Sequence, residues 1–357
     1  IMADFLTGLT KTLEKSGYDV GEAPPPRWWI STGNYILNKI ISGHFKRGIP
    51  QGRLTALVGP AGAGKTFVLC NIIREAQKDG CICVALDSEN ALDDEFATAI
   101  GVDVNNNYRH IHVDTIPDVV EVTSTIISGY KKEYGDAEDA PKLLIACDSL
   151  DMLVTETESD NYVKKGIIKG DQGQKNKQLK AMLRELVHAI KRNNITMVVT
   201  DQVYKNQDVL NGEGVWMVKD AVKYSLSQIV MLTKLKLKND KEVAGIKMKC
   251  ESYKTRFAQP FQTVTIEVPY STGMDPYNGL LDVAKELGIV SMAGSWYTFE
   301  GEKFQKKNFT PELAERVLEH CEATTIDFLE AVLEDEEEEI VEKQATRKEK
   351  ISKKLDD

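Results

Sequence analysis

The sequence carries, at residues 54–66, the stretch LTALVGPAGAGKT, in which a short apolar run leads into a glycine-rich loop and then Lys65-Thr66. The apolar run is typical of a buried strand, and the residues from Lys65 onward are typical of a helix. Glycines let the loop turn tightly, so that backbone N–H groups and the start of the helix surround a phosphate group. The spacing predicts a nucleoside triphosphate site, with Lys65 on the β- and γ-phosphates and Thr66 on Mg²⁺. The predicted nucleotide-binding segment comprises Gly59, Pro60, Ala61, Gly62, Ala63, Gly64, Lys65, Thr66 and Phe67.

Two further apolar runs end in acids. The run at residues 142–148 ends in Asp148, and a carboxylate at the end of a strand beside a phosphate loop holds the magnesium ion in nucleotide hydrolases. Asp148 is therefore a candidate ligand of the same Mg²⁺. The run at residues 81–87 leads into Ser88-Glu89. Glu89 is the candidate for activating the attacking water, and a helix-capping role is the alternative.

A fourth run, residues 195–201, ends in Asp201-Gln202, directly before a long polar segment. The amide of Gln202 would lie at the same sheet edge and is a candidate for bonding the γ-phosphate. The residues alone leave this role open.

Apolar runs alternate with helical patterns through the body of the chain, which predicts an α/β protein with a mostly parallel central sheet covered on both faces. The helical patterns cover residues 65–78, 118–132 and 175–192. Three later runs, between residues 227 and 269, follow each other without helices and predict an antiparallel extension of that sheet.

The predicted organisation has four parts. Residues 1–29 combine an amphipathic helix at 3–16 with a proline-rich linker, residues 30–270 form the α/β core, and residues 271–330 form a small α/β module. Residues 331–357 form a charged tail. From Glu330 to Asp357 the chain has eleven acidic and six basic residues, which is typical of a disordered segment.

The composition is that of a globular protein, with 357 residues, a net charge of −10 and 42% hydrophobic residues. No apolar run approaches the ~20 residues that a membrane helix needs, so no membrane partner is expected. The six cysteines lie mainly in apolar runs and form no Cys-x-x-Cys pair. This pattern indicates reduced core residues of an intracellular protein.

Two long segments, residues 155–173 and 203–220, interrupt the alternation and follow central strands at the edge where α/β proteins bind ligands. Both are rich in Gly, Asn and charge, and both are candidates for nucleic-acid binding. The alternatives are a solvated charged face for the helix after the first segment and a packing role for the tryptophan in the second. The candidate contacts are Lys164, Lys165 and Lys169 in the first segment, Lys177, Lys180 and Arg184 on that helix, and Gly212, Gly214 and Trp216 in the second segment.

Several motifs, in order along the chain, resemble the RecA family of DNA recombinases. They are ISTGN at residues 30–34, LDSENALD at 86–93, IGVD at 100–103, Asp148-Ser149, Asp201-Gln202, and GSWY at 294–297 with Gly301-Glu302. The resemblance runs from about residue 30 to residue 305. The compact size and Lys177-x-Leu179-Lys180 are most similar to the phage UvsX-type recombinases of that family.

The resemblance implies a cytoplasmic, ATP- and Mg²⁺-dependent recombination and repair protein that polymerises as a helical filament on single-stranded DNA. Homologous double-stranded DNA would be its second substrate, and a loading mediator and a single-strand-binding protein are further partner candidates. The N-terminal helix is expected to dock on a neighbouring copy. The charged tail would compete with DNA, bind a basic mediator or solubilise the filament.

The resemblance also assigns residue roles. It implies that Lys65, Glu89 and Gln202 act in catalysis, that Asp93 and Phe96 hold the adenine, and that residues 155–173 and 203–220 bind DNA. It implies further that Lys254 and Arg256 reach the ATP of a neighbouring copy. Two other functions stay open, namely a ring helicase or motor of the same fold, and an ATP-binding recombination mediator without strand exchange.

Overall fold

The computed structural model describes residues 2–16, 25–135, 137, 139–167, 173–191, 193–206, 215–239 and 242–326. The strands are β1 (Trp29–Ile30), β2 (Ile49–Pro50), β3 (Leu54–Gly59), β4 (Ile82–Asp87), β5 (Tyr108–His112), β6 (Leu143–Asp148), β7 (Ile195–Gln202), β8 (Tyr204–Asn206), β9 (Val215–Met217), β10 (Gln228–Asn239), β11 (Glu242–Lys254), β12 (Thr263–Pro269), β13 (Ser291–Ala293), β14 (Trp296–Phe299) and β15 (Glu302–Gln305). The helices are α1 (Met2–Lys15), α2 (Tyr35–Ser42), α3 (Lys65–Lys78), α4 (Asp94–Ile100), α5 (Ile116–Tyr134), α6 (Glu156–Lys165), α7 (Gln174–Ile190), α8 (Asp220–Ser225), α9 (Leu280–Glu286) and α10 (residues 311–326), with a 3₁₀ turn at Lys306–Asn308.

Eight strands form one central sheet in the order β12-β11-β10-β3-β7-β6-β4-β5. The six strands from β10 to β5 run parallel, whereas β11 and β12 are antiparallel to their neighbours. Both the predicted α/β class and the predicted antiparallel extension are confirmed. The predicted N-terminal helix is present as α1.

The sheet separates two apolar cores. Every residue of β3 and β6 is buried, as expected for parallel strands covered on both faces. Leu57 packs into a cluster with α2 and α3, whereas Ala56 and Val58 pack into a cluster with α5 and α7 on the other face. The apolar stripe predicted for the helix at 175–192 is buried in this second cluster, through Leu179, Leu183, Leu186 and Ile190.

The first long segment is not a loop throughout, because α6 occupies much of it. The Thr155 hydroxyl accepts the N–H of Glu158 at 3.2 Å, and the Glu158 carboxylate accepts the N–H of Thr155 at 3.0 Å. This reciprocal pair is an ordinary helix start, and Gly166 ends the helix with a φ of +60°. The sequence pattern predicts no helix in this segment, and α6 corrects that prediction. α6 has no buried residue along its length, so it offers no apolar stripe for a sequence pattern to detect.

The residues after β12 pack on the first core. Phe299, Phe304 and Val317 belong to the same apolar cluster as Ile40 of α2. The predicted division of the chain at residue 270 stays a prediction. Over the described ranges, none of the helices combines the length and apolar character that crossing a membrane requires.

All six cysteines are buried and free, as their apolar surroundings predict. Burial raises the pKa of Cys70 and Cys321 to about 12 and that of Cys81 to about 11. Burial also raises the pKa of Cys147 and Cys250. Because the thiolate is the reactive form, these side chains are inert parts of the core.

Gly59→Ala is expected to lower the free energy of unfolding by about 1–3 kcal/mol. A Cβ at position 59 would lie 2.3 Å from the carbonyl oxygen of Leu232 in β10, and relief would require separating β3 from β10. Gly129→Ala in α5 is the matched control, because a Cβ there meets no atom within 4 Å. The control is expected to gain about 0.5–1 kcal/mol from its higher helix propensity. Urea denaturation followed by circular dichroism measures both, and equal stability of the Gly59→Ala and wild-type proteins would contradict the close approach.

Candidate nucleotide-binding site

The phosphate loop lies between β3 and α3, as predicted. Gly59 is the last residue of the strand and Lys65 the first of the helix. Gly62 and Gly64 have φ values of +67° and +98°, which residues with a Cβ rarely adopt. Among the described side chains none caps the start of α3, so its first N–H groups are available to an anion. The backbone therefore fits the phosphate groups of a nucleotide.

Lys65 is buried at the base of this loop. Its ammonium group donates to the carbonyl oxygens of Gly59 at 3.0 Å and Pro60 at 3.1 Å. Burial lowers the pKa of Lys65, while Asp148 and Glu89 act in the opposite direction. The amine is thus held inside the loop, among the carboxylates of the site.

Asp148 ends β6 and is 1% exposed. Its carboxylate accepts the hydroxyl of Thr66 at 2.7 Å and the hydroxyl of Thr200 on the neighbouring strand. Burial raises the pKa of Asp148, although both hydroxyl bonds act in the opposite direction. Carboxylate and hydroxyl oxygens are donors that Mg²⁺ prefers, so Thr66 and Asp148 fit the predicted metal by their chemistry.

Asp87, which the sequence reasoning did not single out, organises the loop that carries Glu89. Its buried carboxylate accepts the N–H groups of Glu89 at 3.0 Å, Ala91 at 3.3 Å and Leu92 at 3.1 Å. His110 Nε2 lies 3.1 Å from the same group. A carboxylate with several backbone donors holds a loop in one conformation. The sequence signal was an acid at the end of an apolar run, followed by a turn of polar residues.

Glu89 is exposed, and Ser149, to which the sequence assigned no role, fixes its position. The Ser149 hydroxyl donates to the Glu89 carboxylate. Ser88 joins the same two strand ends, because its hydroxyl donates to the Ser149 carbonyl at 2.7 Å and accepts the Ser149 N–H at 2.9 Å. The peptide bond between Asp148 and Ser149 is cis. Glu89 is therefore brought to the strand that ends in Asp148.

The helix-capping alternative for Glu89 is wrong, because Asp93 caps α4. The Asp93 carboxylate accepts the N–H of Phe96 at 2.8 Å, and the Phe96 ring is 36% exposed on the first turn. Both residues lie beyond the loop that carries Glu89. Their contact with an adenine base stays a prediction.

Gln202 ends β7 in register with Gly59, and is therefore adjacent to the phosphate loop. The N–H of Val203 also points to this loop, 3.4 Å from the carbonyl oxygen of Gly59. The side chain of Gln202 is half-buried. Its position is compatible with the predicted γ-phosphate contact, which stays a prediction.

The described cationic candidates for nucleic-acid binding lie on α6 and α7. Lys164 and Lys165 are exposed on the last turn of α6, where Lys164 bonds to Asp160 at 2.8 Å and Lys165 to Asn161 at 3.1 Å. The α7 cations are exposed on one side of that helix, as predicted, and they are Lys177, Lys180 and Arg184. Three candidates, Lys169, Gly212 and Gly214, lie outside the described residues.

Trp216 lies on β9, opposite Lys205 of β8 in a two-stranded antiparallel sheet. The indole ring is half-buried against the core cluster of α7, and the Lys205 Nζ lies 6.0 Å from the ring centroid. The packing alternative accounts for this contact. Stacking of the ring on a base stays a prediction.

Lys254 and Arg256 lie at the other edge of the sheet from the phosphate loop. Lys254 is in register with Ile229 of β10, which is in register with Ala56 of β3. The phosphate loop begins three residues beyond Ala56 along β3, which is about 10 Å at the rise of a strand. Burial and the neighbouring Arg256 lower the pKa of Lys254.

The strand, glycine loop and helix, together with the buried pair of Thr66 and Asp148, define a nucleotide-binding protein of the P-loop class. The family model described as the RecA N-terminal domain matches residues 28–275, and the chain belongs to the RecA family. The RecA protein of Chloroherpeton thalassium is 28% identical over 281 residues, covering 77% of this chain and 72% of the relative. RecA of Corynebacterium urealyticum is 27% identical over 313 residues, covering 83% and 78%. RecA of Staphylococcus aureus is 29% identical over 280 residues, covering 76% and 74%.

Thr200→Val is expected to lower the free energy of unfolding by about 1.5–3 kcal/mol near pH 8, because it removes a donor to a buried carboxylate. Thr196→Val is the matched control in the same strand. Thr196 is also buried, but it donates to the neutral carbonyls of Pro50 at 2.7 Å and Arg53 at 3.0 Å. Thr196→Val is therefore expected to lower the free energy of unfolding by about 0.5–1.5 kcal/mol.

The difference between these two variants is expected to shrink as the pH falls. The hydroxyl bond favours the ionised form of Asp148, so its contribution is present above the pKa of this carboxyl and is lost on protonation. Denaturation at several pH values measures this. Equal losses at pH 8 would contradict an ionised Asp148 in the folded protein.

Proposed function

We propose that this chain is an ATP-dependent recombination protein that forms a helical filament on single-stranded DNA, hydrolyses ATP and exchanges strands with homologous double-stranded DNA. One observation carries the proposal. In a chain of the RecA family, the phosphate loop, Asp148 and the starts of both long segments share the carboxyl edge of one sheet. A nucleotide bound at this edge would lie beside the starts of both segments. Within the family, the α7 lysines favour the UvsX type.

Each residue of the site has its own role in the proposed binding and hydrolysis of the nucleotide. The loop N–H groups and Lys65 would hold the phosphates, and Thr66 with Asp148 would hold Mg²⁺, which neutralises phosphate charge when bound. Glu89, positioned by the Ser149 hydroxyl, would accept a proton from the attacking water. Gln202 would donate to the γ-phosphate from the end of β7.

Single-stranded DNA would run along the exposed cations of α6 and α7. The Lys180 Nζ lies 5.9 Å from the ring centroid of Tyr224 on α8, so Lys180 adjoins the helix that follows the second segment. Each phosphate neutralised on a single strand steepens the salt dependence by about 0.7 in log–log slope.

Lys254 and Arg256 would complete the ATP site of a neighbouring copy. Their place at the amino edge of the sheet keeps them away from their own phosphate loop. A head-to-tail contact, with the amino edge of one copy on the carboxyl edge of the next, supplies these cations in trans. Contacts of this kind repeat into rings or helical filaments, and the cations then act only after assembly.

α1 supplies a second contact for self-association. Its apolar residues Phe5, Leu6 and Leu9 are 67%, 57% and 41% exposed. A groove of about 700 Å³ lies between α5 and α7, with a mainly apolar lining that includes Val120 and Met182. An exposed apolar stripe and an apolar groove on the same chain are complementary, so α1 of a neighbouring copy is the proposed occupant.

ATP hydrolysis is expected to increase strongly when a long single-stranded oligonucleotide is added, together with growth in light scattering. Lys65→Ala should abolish both responses. Glu89→Gln should retain nucleotide binding and lose about 10²–10⁴-fold in turnover, the usual contribution of a general base. DNA-independent hydrolysis without scattering growth would overturn the proposal in favour of a ring motor or a mediator.

A mixture of two inactive variants tests the trans arrangement. Lys65→Ala and Arg256→Ala proteins, mixed in equal amounts, should recover about a quarter of the wild-type rate, because a random head-to-tail interface joins the two intact halves once in four times. A mixture of Lys65→Ala with Glu89→Gln is the control. Both of its lesions lie on the same side of the interface, so it should recover nothing. If the first mixture co-assembles, as light scattering would show, but recovers no ATP hydrolysis, then Arg256 and the phosphate loop of one site belong to the same chain.

A further inference from the structure

Lys219 lies between two carboxylates at the carboxyl edge of the sheet. Its ammonium group bonds to the carboxylate of Asp151 and lies 3.0 Å from that of Asp201. Asp201 is 2% exposed, whereas the side chains of Lys219 and Asp151 are 29% and 30% exposed. These three residues are called the Lys219 cluster below.

Each member of the Lys219 cluster stands at the boundary of a different segment. Asp201 directly precedes Gln202 on β7, and Lys219 directly precedes α8 at the end of the second long segment. Asp151 follows β6, ahead of α6. The Asp151 carbonyl also accepts the ammonium group of Lys175 at 2.6 Å, on the first turn of α7 where the first long segment ends. The cluster therefore ties together both long segments and the strand that ends in Gln202.

A hydrogen-bonded path joins the cluster to the phosphate loop. The N–H of Leu150 donates to the carbonyl of Thr200 at 2.9 Å, which links the ends of β6 and β7 beside the cluster. The Thr200 hydroxyl donates to Asp148, whose other carboxylate oxygen accepts the hydroxyl of Thr66 at 2.7 Å. Thr66 lies in the first turn of α3, directly after Lys65.

The charges of the cluster depend on one another. Burial raises the pKa of Asp201, and Lys219 acts against this shift. Burial alone would lower the pKa of Lys219, but Asp201 and Asp151 raise it overall. Removing the ammonium group would leave a buried carboxylate without this partner, next to Gln202, and a buried charge without its partner displaces its surroundings or takes up a proton.

We propose that Lys219 is a positioning residue that transmits the state of the bound nucleotide from β7 to both long segments. The inference rests on the proposed function, in which Gln202 contacts the γ-phosphate and the segments bind DNA. A shift of Gln202 moves Asp201 with it. Lys219 and Asp151 follow through their bonds, so that the starts of α7 and α8 move together. Coupling is reciprocal, so DNA that fixes the segments favours the Gln202 conformation that ATP requires.

The test must measure transmission rather than stability, since spatial connection alone does not show coupling. Hydrogen–deuterium exchange of the full chain is compared between Mg²⁺ with ADP and Mg²⁺ with a non-hydrolysable ATP analogue, both without DNA. In the wild type, the analogue should slow exchange at residues 60–70. It should also slow exchange at residues 173–180 and 215–220 by about fivefold or more, the lower end of ordinary allosteric coupling.

In Lys219→Met the analogue is expected still to slow exchange at the phosphate loop. At the two segments, the slowing of exchange is expected to fall below about twofold. Asp151→Asn should reproduce this loss, and the double variant should add little to either single one. Lys219→Arg keeps the charge and should retain most of the effect. Should Lys219→Met fail to fold, Asp151→Asn decides the question.

Lys46→Met is the matched control, because it breaks an exposed lysine–glutamate pair, 3.0 Å from Glu315, away from the site. It should leave both the phosphate-loop and the segment responses intact. Unchanged segment protection in a folded Lys219→Met or Asp151→Asn protein would overturn the inference. A wild type in which the analogue protects the phosphate loop but not the segments would overturn it too.

A fluorescent oligothymidylate separates this inference from the proposed function. The ratio of its Kd with ADP to its Kd with the analogue should exceed about five in the wild type and fall toward one in Lys219→Met. Segment protection without any binding of the oligonucleotide would refute the DNA proposal and leave the transmission through Lys219 standing. Binding with an unchanged ratio in Lys219→Met would refute the transmission alone.

Discussion

The buried carboxylate of Asp148 is the constraint on which the nucleotide site depends. A charge that is 1% exposed is stable only when donors surround it. Those donors come from two other elements, since Thr66 belongs to α3 and Thr200 to β7. The phosphate-loop helix and the two central strands must therefore converge at one point. Ser149, directly after this carboxylate, then sets where Glu89 can lie.

The two edges of the parallel sheet differ in charge. Acidic side chains end the strands at the carboxyl edge, where Asp87, Asp148 and Asp201 are all buried. Cations lie at the amino edge, where burial and then the neighbouring Arg256 lower the pKa of Arg53. In the proposed head-to-tail contact, the amino-edge cations of one copy would meet the carboxyl edge of the next.

The sequence was sufficient to predict the structural features that have a repeating pattern or that combine several residue types. The boundaries of β3 and α3 follow from the apolar run and the glycine loop, and the antiparallel strands follow from the missing helices between them. α6 escaped detection because none of its residues is buried, so no apolar stripe marks it, and its capping residues are the remaining signal. Ser149 and Thr200 were given no role because their importance lies in bonds across neighbouring strands, and single-sequence patterns do not show strand order. Asp87 bonds within the loop that follows it, and its place at the end of an apolar run was the available signal.

The burial of the cysteines has a practical consequence for spectroscopy. All six thiols are inside the core, and burial raises the pKa of each one far enough to keep it protonated at neutral pH. The native chain therefore serves as its own background for site-directed labelling. A single cysteine introduced on the surface of α7 would take up a maleimide dye while the native thiols stay unmodified, without first constructing a cysteine-free variant.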